Sequence, residues 1–340
     1  QLLDKHFPER EFLLEPWFRM EETALIWAGA GVGKTMLTLT LALAIAGGGQ
    51  VWEWKAPRPR RVLLIDGEMN LHDLQERIAM LLERKAVRSD DPKRLRKNIR
   101  KNLVIVARQH QDPGAPFYDM TNKDSQDEIY KHVKSAKAEL VIVDNLTTVA
   151  DSLSDENDAT AFRLVSRFFM MMKQDRRSAI LVHHARKDGQ DARGSSALDT
   201  TFEIKMGLKK PEISVPGRAS FYTDFGKYRA EGNESLQTKL WTLTELGWVV
   251  ADDEESNKGR VLTAIKSLDY VTQTEVANAL GIEQSTVSRI TKKLIGLGQV
   301  TKDGVKEYYR KARELKANPD APSDDPFDAI DPDELNGDDF

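Results

Sequence analysis

The sequence predicts an α/β domain with a mostly parallel sheet and antiparallel edge strands, followed by a small C-terminal domain of helices and a two-stranded wing. Between Thr23 and His183, short continuous apolar runs alternate with helical segments, the pattern of parallel strands buried on both faces. Beyond Thr200 the helical pattern stops and four strands follow (202–208, 220–225, 239–244, 248–250), which predicts an antiparallel extension at one sheet edge. From Asn257, apolar residues recur at helical spacing in three segments broken by turns.

Composition bounds what these elements can belong to. A chain of 340 residues, 40% apolar and 31% charged, accommodates a large domain over 1–252, a smaller one over 257–315 and a tail over 316–340. The absence of cysteine excludes disulfides and thiolate zinc sites and fits a reducing cytoplasm. The longest apolar run, Leu37 to Ala46, is shorter than the roughly 17–25 residues of a membrane span, so no membrane partner is expected. The chain begins with Gln1, which leaves an upstream domain open. Its net charge of −4 is uneven: Ala317 to Phe340 carries eight Asp, one Glu and no Lys or Arg, leaving the preceding residues mildly basic and predicting a disordered acidic tail.

In chain order, Phe12 to Leu14 and Trp17-Phe18 form an apolar strap ahead of the first strand, Thr23 to Ala28. The next residues, Gly29-Ala30-Gly31-Val32-Gly33-Lys34-Thr35, open an apolar helix at Met36. Small residues are needed here because the backbone must fold into a nest whose N–H groups point at phosphate oxygens. Residues Gly29 to Met36 are therefore the candidate ATP-binding segment, with Lys34 reaching the β- and γ-phosphates and Thr35 holding Mg²⁺. The usual G-x-x-x-x-G-K-[ST] pattern has its first glycine where this chain has Ala28. Alanine fits if the strand leaves with negative φ and Gly29 takes the unusual dihedral.

Strand 62–66 leads into Asp66-Gly67-Glu68-Met69-Asn70 and a helix over 71–87; strand 103–107 follows, then helix 124–137. Ligands gather at the carboxyl ends of parallel strands, and ATP hydrolysis needs a carboxylate to orient the attacking water. Glu68 is the better placed, since a base must reach beyond the strand end. Asp66 is the alternative, with Glu68 then serving the helix N-terminus. Strand 140–144 ends in Asp144, the expected second metal residue beside Thr35. After helix 160–175, strand 178–183 ends in His183-His184, either of which can sense the γ-phosphate or simply cap the strand. A long basic, glycine-bearing loop from Ala185 to Ser196 follows, as a nucleic-acid motor requires of a segment coupled to phosphate state.

This order of motifs, with Arg193-Gly194-Ser195-Ser196-Ala197-Leu198 and Phe225-Gly226-Lys227-Tyr228-Arg229, resembles the RecA-like ATPases of the plasmid RepA and DnaB ring-helicase type over residues 11–252. The resemblance implies a RecA-like P-loop ATPase core that forms homo-hexamers with ATP and Mg²⁺ between subunits. It implies that Lys227 and Arg229 reach a neighbour's site as catalytic fingers, and that Lys187 and Arg193 contact single-stranded DNA in a central channel. The expected activity is that of a replicative DNA helicase of a plasmid, phage or mobile element. The alternatives are an ATP-regulated replication initiator without unwinding activity and a recombinase-like filament former. Some RepA-like members carry a basic residue where this chain has Thr201-Phe202-Glu203.

In the C-terminal domain, Val261, Leu262, Ile265 and Leu268 mark one helix, Thr274 to Leu280 a second and Gln284 to Leu297 a third. On the third, Val287, Ile290 and Leu294 face the core, leaving Gln284, Ser285, Ser288, Arg289 and Lys292 as a polar face for duplex DNA. Residues 299–308 read as two strands around a turn at Asp303-Gly304, so the whole resembles a winged helix. The tail ends in Asp338-Asp339-Phe340 and is similar in character to the tails of single-strand-binding proteins, implying recruitment of a replication partner.

Overall fold

The computed structural model describes residues 5–6, 9–112, 114, 116–150, 159–185, 192, 200–211, 217–230 and 232–317. The chain divides into two compact units, Gln1–Asp253 and Glu254–Phe340. Unit 1 contains β1 (Phe12–Leu14), β2 (Phe18–Arg19), β3 (Thr23–Ala28), α1 (Lys34–Gly47), β4 (Gln50–Val51), β5 (Trp54–Lys55), β6 (Val62–Asp66), α2 (Leu71–Glu83) and α3 (Pro92–Asn102). It continues with β7 (Leu103–Ala107), α4 (Lys123–Ser135), β8 (Leu140–Asp144), α5 (Ala159–Gln174), β9 (Ser178–His184), β10 (Ile204–Lys209), β11 (Ser220–Tyr228), β12 (Lys239–Thr244) and β13 (Gly247–Asp252).

One nine-stranded sheet in the order β13-β12-β11-β10-β3-β9-β8-β6-β7 organises this unit. The six strands from β10 to β7 are mutually parallel, and β11, β12 and β13 add on antiparallel. Strands such as Val62–Asp66 and Leu140–Asp144 are buried at every residue because helices cover both faces. Side chains alternate between those faces. Ala24, Ile26, Leu64, Ile142, Ile180 and Val182 join α1 in one core, while Leu25, Trp27, Leu63, Val141, Val143 and Leu181 join Ile129, Val133, Phe162 and Phe168 from α4 and α5 in the other. The N-terminal strap forms the small β1–β2 sheet, and Trp17 stacks on Phe18 and meets Trp54 edge-on, closing the α1 face beside β11 and β12.

Several elements differ from the expectation. The first strand beyond Thr200 starts at Ile204 and pairs parallel with β3, so the antiparallel extension begins one strand later. Helix α2 ends at Glu83, and α3 has no counterpart in the sequence reading. Only Leu95 and Ile99 of α3 are apolar and buried, too few to show a period, although Asp91 caps its Arg94 amide at 2.9 Å and Pro92 occupies the first turn.

Unit 2, with Asp253 at its border, has only helices as regular elements among its described residues: α6 (Asp253–Lys266), α7 (Gln273–Leu280), α8 (Gln284–Gly296) and α9 (Lys302–Ala317). Its core joins Val261, Ile265, Val276, Leu280, Val287, Ile290, Leu294, Val305 and Tyr309. The expected wing is absent. Thr301 Oγ1 accepts the Gly304 amide at 2.9 Å and so starts α9, and Val305, Tyr309 and Ala312 bury one face of it. Asp303-Gly304 lies in a helical first turn, without the positive φ that a hairpin turn would ask of Gly304. The expected tail after Ala317 lies outside the described residues.

Candidate nucleotide site

The site forms where the carboxyl ends of β3, β6, β8 and β9 line up. Ala28 pairs with His184 and Asp66 with Asp144 in register. All four have even numbers, and the even residues of these strands face α1. Parity therefore decides what the motif alone left open: His184 faces the phosphate loop, whereas His183 is buried on the opposite face, edge-on to Phe162 at 6.4 Å between ring centroids.

The loop from Gly29 to Gly33 turns through Gly31 (φ 72°) and Gly33 (φ 120°), both in the range that favours glycine. Gly29 has no positive φ, so the dihedral expected of it falls two residues later, and Ala28 stays within β3 as a buried strand residue. A Cβ on Gly33 would lie 3.1 Å from the Ala219 Cβ and 3.2 Å from the Phe221 ring, so a larger residue there would press on both as well as strain the positive φ. Helix α1 starts two residues earlier than expected, at Lys34. Its N-terminus has no side-chain cap and no acid in the first turn, leaving its amides and dipole for an anion. These features fit a phosphate, and Ala30, Val32 and Met36 belong to the same segment.

Lys34 is 7% exposed. Its Nζ donates to the carbonyls of Ala28 (3.1 Å) and Gly29 (3.0 Å) and lies 3.3 Å from His184 Nδ1. Burial lowers its pKa, against the opposing pull of Asp144 and Glu68. Asp144 is buried, and its carboxyl is pushed up to about 7, first by burial and then by the nearby Asp66, while the Thr35 hydroxyl hydrogen-bonds it. Thr35 and Asp144 are thus adjacent oxygen donors, a set that fits Mg²⁺.

Asp66 and Glu68 differ in how they are held, and neither caps the helix. Asp66 Oδ1 accepts the amides of Glu68 (3.1 Å) and Met69 (2.8 Å), so that carboxyl is committed to holding the turn. Burial raises its pKa. The helix N-cap is Asn70, which accepts the Asp73 amide at 2.8 Å. Glu68 is left with its side chain 46% exposed and its Oε1 3.7 Å from His184 Nε2. Asn145 Nδ2 lies 3.4 Å from the same nitrogen. Gly67 is required by close approach: a Cβ would fall 2.0 Å from Thr148 Oγ1, which is engaged in the Asn145 turn.

A cleft of about 790 Å³ opens over this array, lined by the loop, Glu68 and His184. Arg77, Arg84 and Arg218 also line it, and sequence reasoning missed all three. Arg84 pairs with Glu245 at 3.0 Å. Which arginines reach a cleft depends on how α2 and the turn before β11 pack, and no local pattern encodes that.

Lys227 and Arg229 lie elsewhere. Tyr228 pairs with Ile204, which pairs with Ala24, so this end of β11 is level with the start of β3. Four residues, about 13 Å at ~3.3 Å per residue, separate that level from Ala28. Arg229 donates to the Thr200 carbonyl at 3.1 Å and approaches Glu203 at 3.8 Å. Lys187 and Arg193 lie outside the described residues. On α8, Gln284, Ser285, Arg289 and Lys292 are exposed and Ser288 half-buried, opposite the buried Val287, Ile290 and Leu294.

The ionisation of Asp144 gives a test of its burial. Its folded pKa of about 7 exceeds the ordinary 3.8, so the folded chain holds a proton that the unfolded chain releases. The resulting stabilisation is complete below about pH 4 and lost as pH rises through about 7. Asp144→Asn cannot ionise. Urea denaturation without divalent cations is expected to show the variant gaining on the wild type between about pH 4 and about pH 7; a constant difference would contradict the buried acid.

No helix among the described residues is long and apolar enough to cross a membrane. No curated protein matches the chain. Among solved structures, a KaiC-like protein, PH0186 from Pyrococcus horikoshii OT3, is similar at 18% identity and a TM-score of 0.48, covering 71% of this chain and 98% of its own. A model of the IclR helix-turn-helix domain matches residues 259–304. A model of the AAA domain matches residues 1–190, more than half of the sequence, and supports an ATPase: the chain belongs to the AAA domain family.

Proposed function

We propose that this protein is an ATP-driven DNA helicase of the replicative ring type, RepA- and DnaB-like, translocating on single-stranded DNA as a homo-hexamer. The observation that carries the reading is the convergence of Lys34, Glu68, Asp144 and His184 on one sheet face, with His184 within reach of both Lys34 and Glu68. Glu68 accepts a proton from water as that water's oxygen bonds to the γ-phosphorus. The bridging P–O bond breaks, and ADP and phosphate result. Lys34 neutralises charge on the transferring group. Thr35 and Asp144 would hold Mg²⁺, which when bound supplies further neutralisation. His184 feels the loss of phosphate through Lys34 and Glu68 and passes it to the chain after β9, where Lys187 and Arg193 are the candidates for gripping DNA.

The position of Lys227 and Arg229 supports action in trans, because they lie at the far edge of the sheet from their own loop. A finger of this kind contributes about 10³–10⁵ in rate. Mixing Arg229→Ala with Lys34→Ala subunits is therefore expected to restore part of the ATPase that each lacks alone; no recovery at any ratio would argue against a shared site.

The helix-turn-helix match favours a second reading, an ATP-switched initiator whose α8 face (Gln284, Ser285, Ser288, Arg289 and Lys292) enters the major groove of duplex DNA without strand separation. The acidic tail would recruit a partner in either case. The two readings part on a forked duplex. ATP-dependent release of the labelled strand is expected of the helicase, and DNA-stimulated ATP hydrolysis without strand release would select the initiator.

A further inference from the structure

Helix α3 carries Lys93, Arg94, Arg96, Lys97, Arg100 and Lys101 among its eleven residues, and no Asp or Glu. All six side chains are exposed, and none forms an ion pair with a described residue. Leu95 and Ile99, on the other side of the helix, are buried against the end of α1, where a Cβ on Gly47 would fall 2.3 Å from Leu95 Cδ1. Asn98 and Asn102 donate to the α1 carbonyls of Gly47 and Ala46 at 3.1 and 3.0 Å, which fixes the rotation of α3. Five of the cations, Lys93, Arg96, Lys97, Arg100 and Lys101, then surround one concavity of about 510 Å³.

Like charges three and four residues apart on a helix repel, at roughly 0.2–0.5 kcal/mol per pair. Here no acid on the helix offsets that cost, so the stripe is poised for an external polyanion. Lys93, Lys97 and Lys101 succeed one another at about 6 Å along the helix axis, from ~1.5 Å per residue, a row that can follow a string of phosphates. A lipid surface fits poorly, since the exposed face offers no apolar side chain to enter the acyl boundary.

We infer that α3 is a further nucleic-acid site, which binds the phosphodiester backbone without reading sequence. It is separate from the ATP cleft. Helix α1 runs 14 residues, about 21 Å at ~1.5 Å per residue, from the phosphate loop to the end that α3 covers. A strand held there leaves the cleft open, and the site does not depend on unwinding.

The test uses the full chain without nucleotide, with a random-sequence 20-bp duplex and a dT30 strand as probes, titrated across salt. The variant Lys93→Gln/Arg96→Gln/Lys97→Gln/Arg100→Gln is expected to lose at least about tenfold in affinity at low salt, and its salt slope to fall by about 0.9 for each duplex phosphate that is no longer neutralised. Lys97→Gln alone is expected to shift the slope by about one such step, which covers a multiple variant that fails to fold. Arg96→Lys/Arg100→Lys keeps the charge and should bind as the wild type does, and DNA-free ATPase should be unchanged in every variant. Unaltered affinity and slope would overturn the assignment. So would loss of binding to phosphatidylserine vesicles with DNA binding intact, which would make the stripe a membrane surface.

Discussion

The carboxyl of Asp144 is buried beside Thr35 and Lys34, and the rest of the site answers to that burial. Desolvation drives the acid and the amine toward their neutral forms in the same small volume. Each ion taken from water costs several kcal/mol, and attraction between the two offsets only part of it. Lys34 meanwhile leans on the carbonyls of its own loop. A polyphosphate with its cation would relieve both: Lys34 and the uncapped N-terminus of α1 would meet negative charge, and Thr35 and Asp144 would hold the cation. The arrangement is a charge pattern waiting for its complement, and sheet packing holds it in place.

That packing also separates the functions. The carboxyl edge of the parallel strands holds the candidate nucleotide site, with His184 lying between Lys34 and Glu68. Lys227 and Arg229, and the basic stripe of α3, belong to the opposite edge. A sheet buried on both faces is a stiff connection between the two, so a change at one edge can be felt at the other as movement of a whole element. Glu203 ties the far edge together, accepting from the Thr23 hydroxyl and pairing with Lys173, with Arg229 nearby.

Much of this was legible in the sequence, for reasons that differ by residue. Phosphate-loop chemistry tolerates few side chains, so Gly31, Gly33, Lys34 and Thr35 could be read directly. Asp144 stood out because a carboxylate ends a run of four apolar residues. The choice between His183 and His184 was not readable, because it depends on which strand residues face α1, and only the fold supplies that. Other features were not local. The Asp303-Gly304 turn signal was overruled by the burial of Val305 and Tyr309 on a helix. Helix α3 escaped notice because its polar face is its main feature and two apolar side chains suffice to seat it. Arg77, Arg84 and Arg218 reach the cleft only through the tertiary arrangement.

The claim on which all of this turns is that Glu68 activates water in the cleft while the other groups hold the nucleotide. Phosphate release by Glu68→Gln, measured beside nucleotide affinity, tests it most directly. Affinity within a few-fold of the wild type, with turnover lower by about 10²–10⁴, is the expected result. Wild-type turnover in the variant would contradict the account.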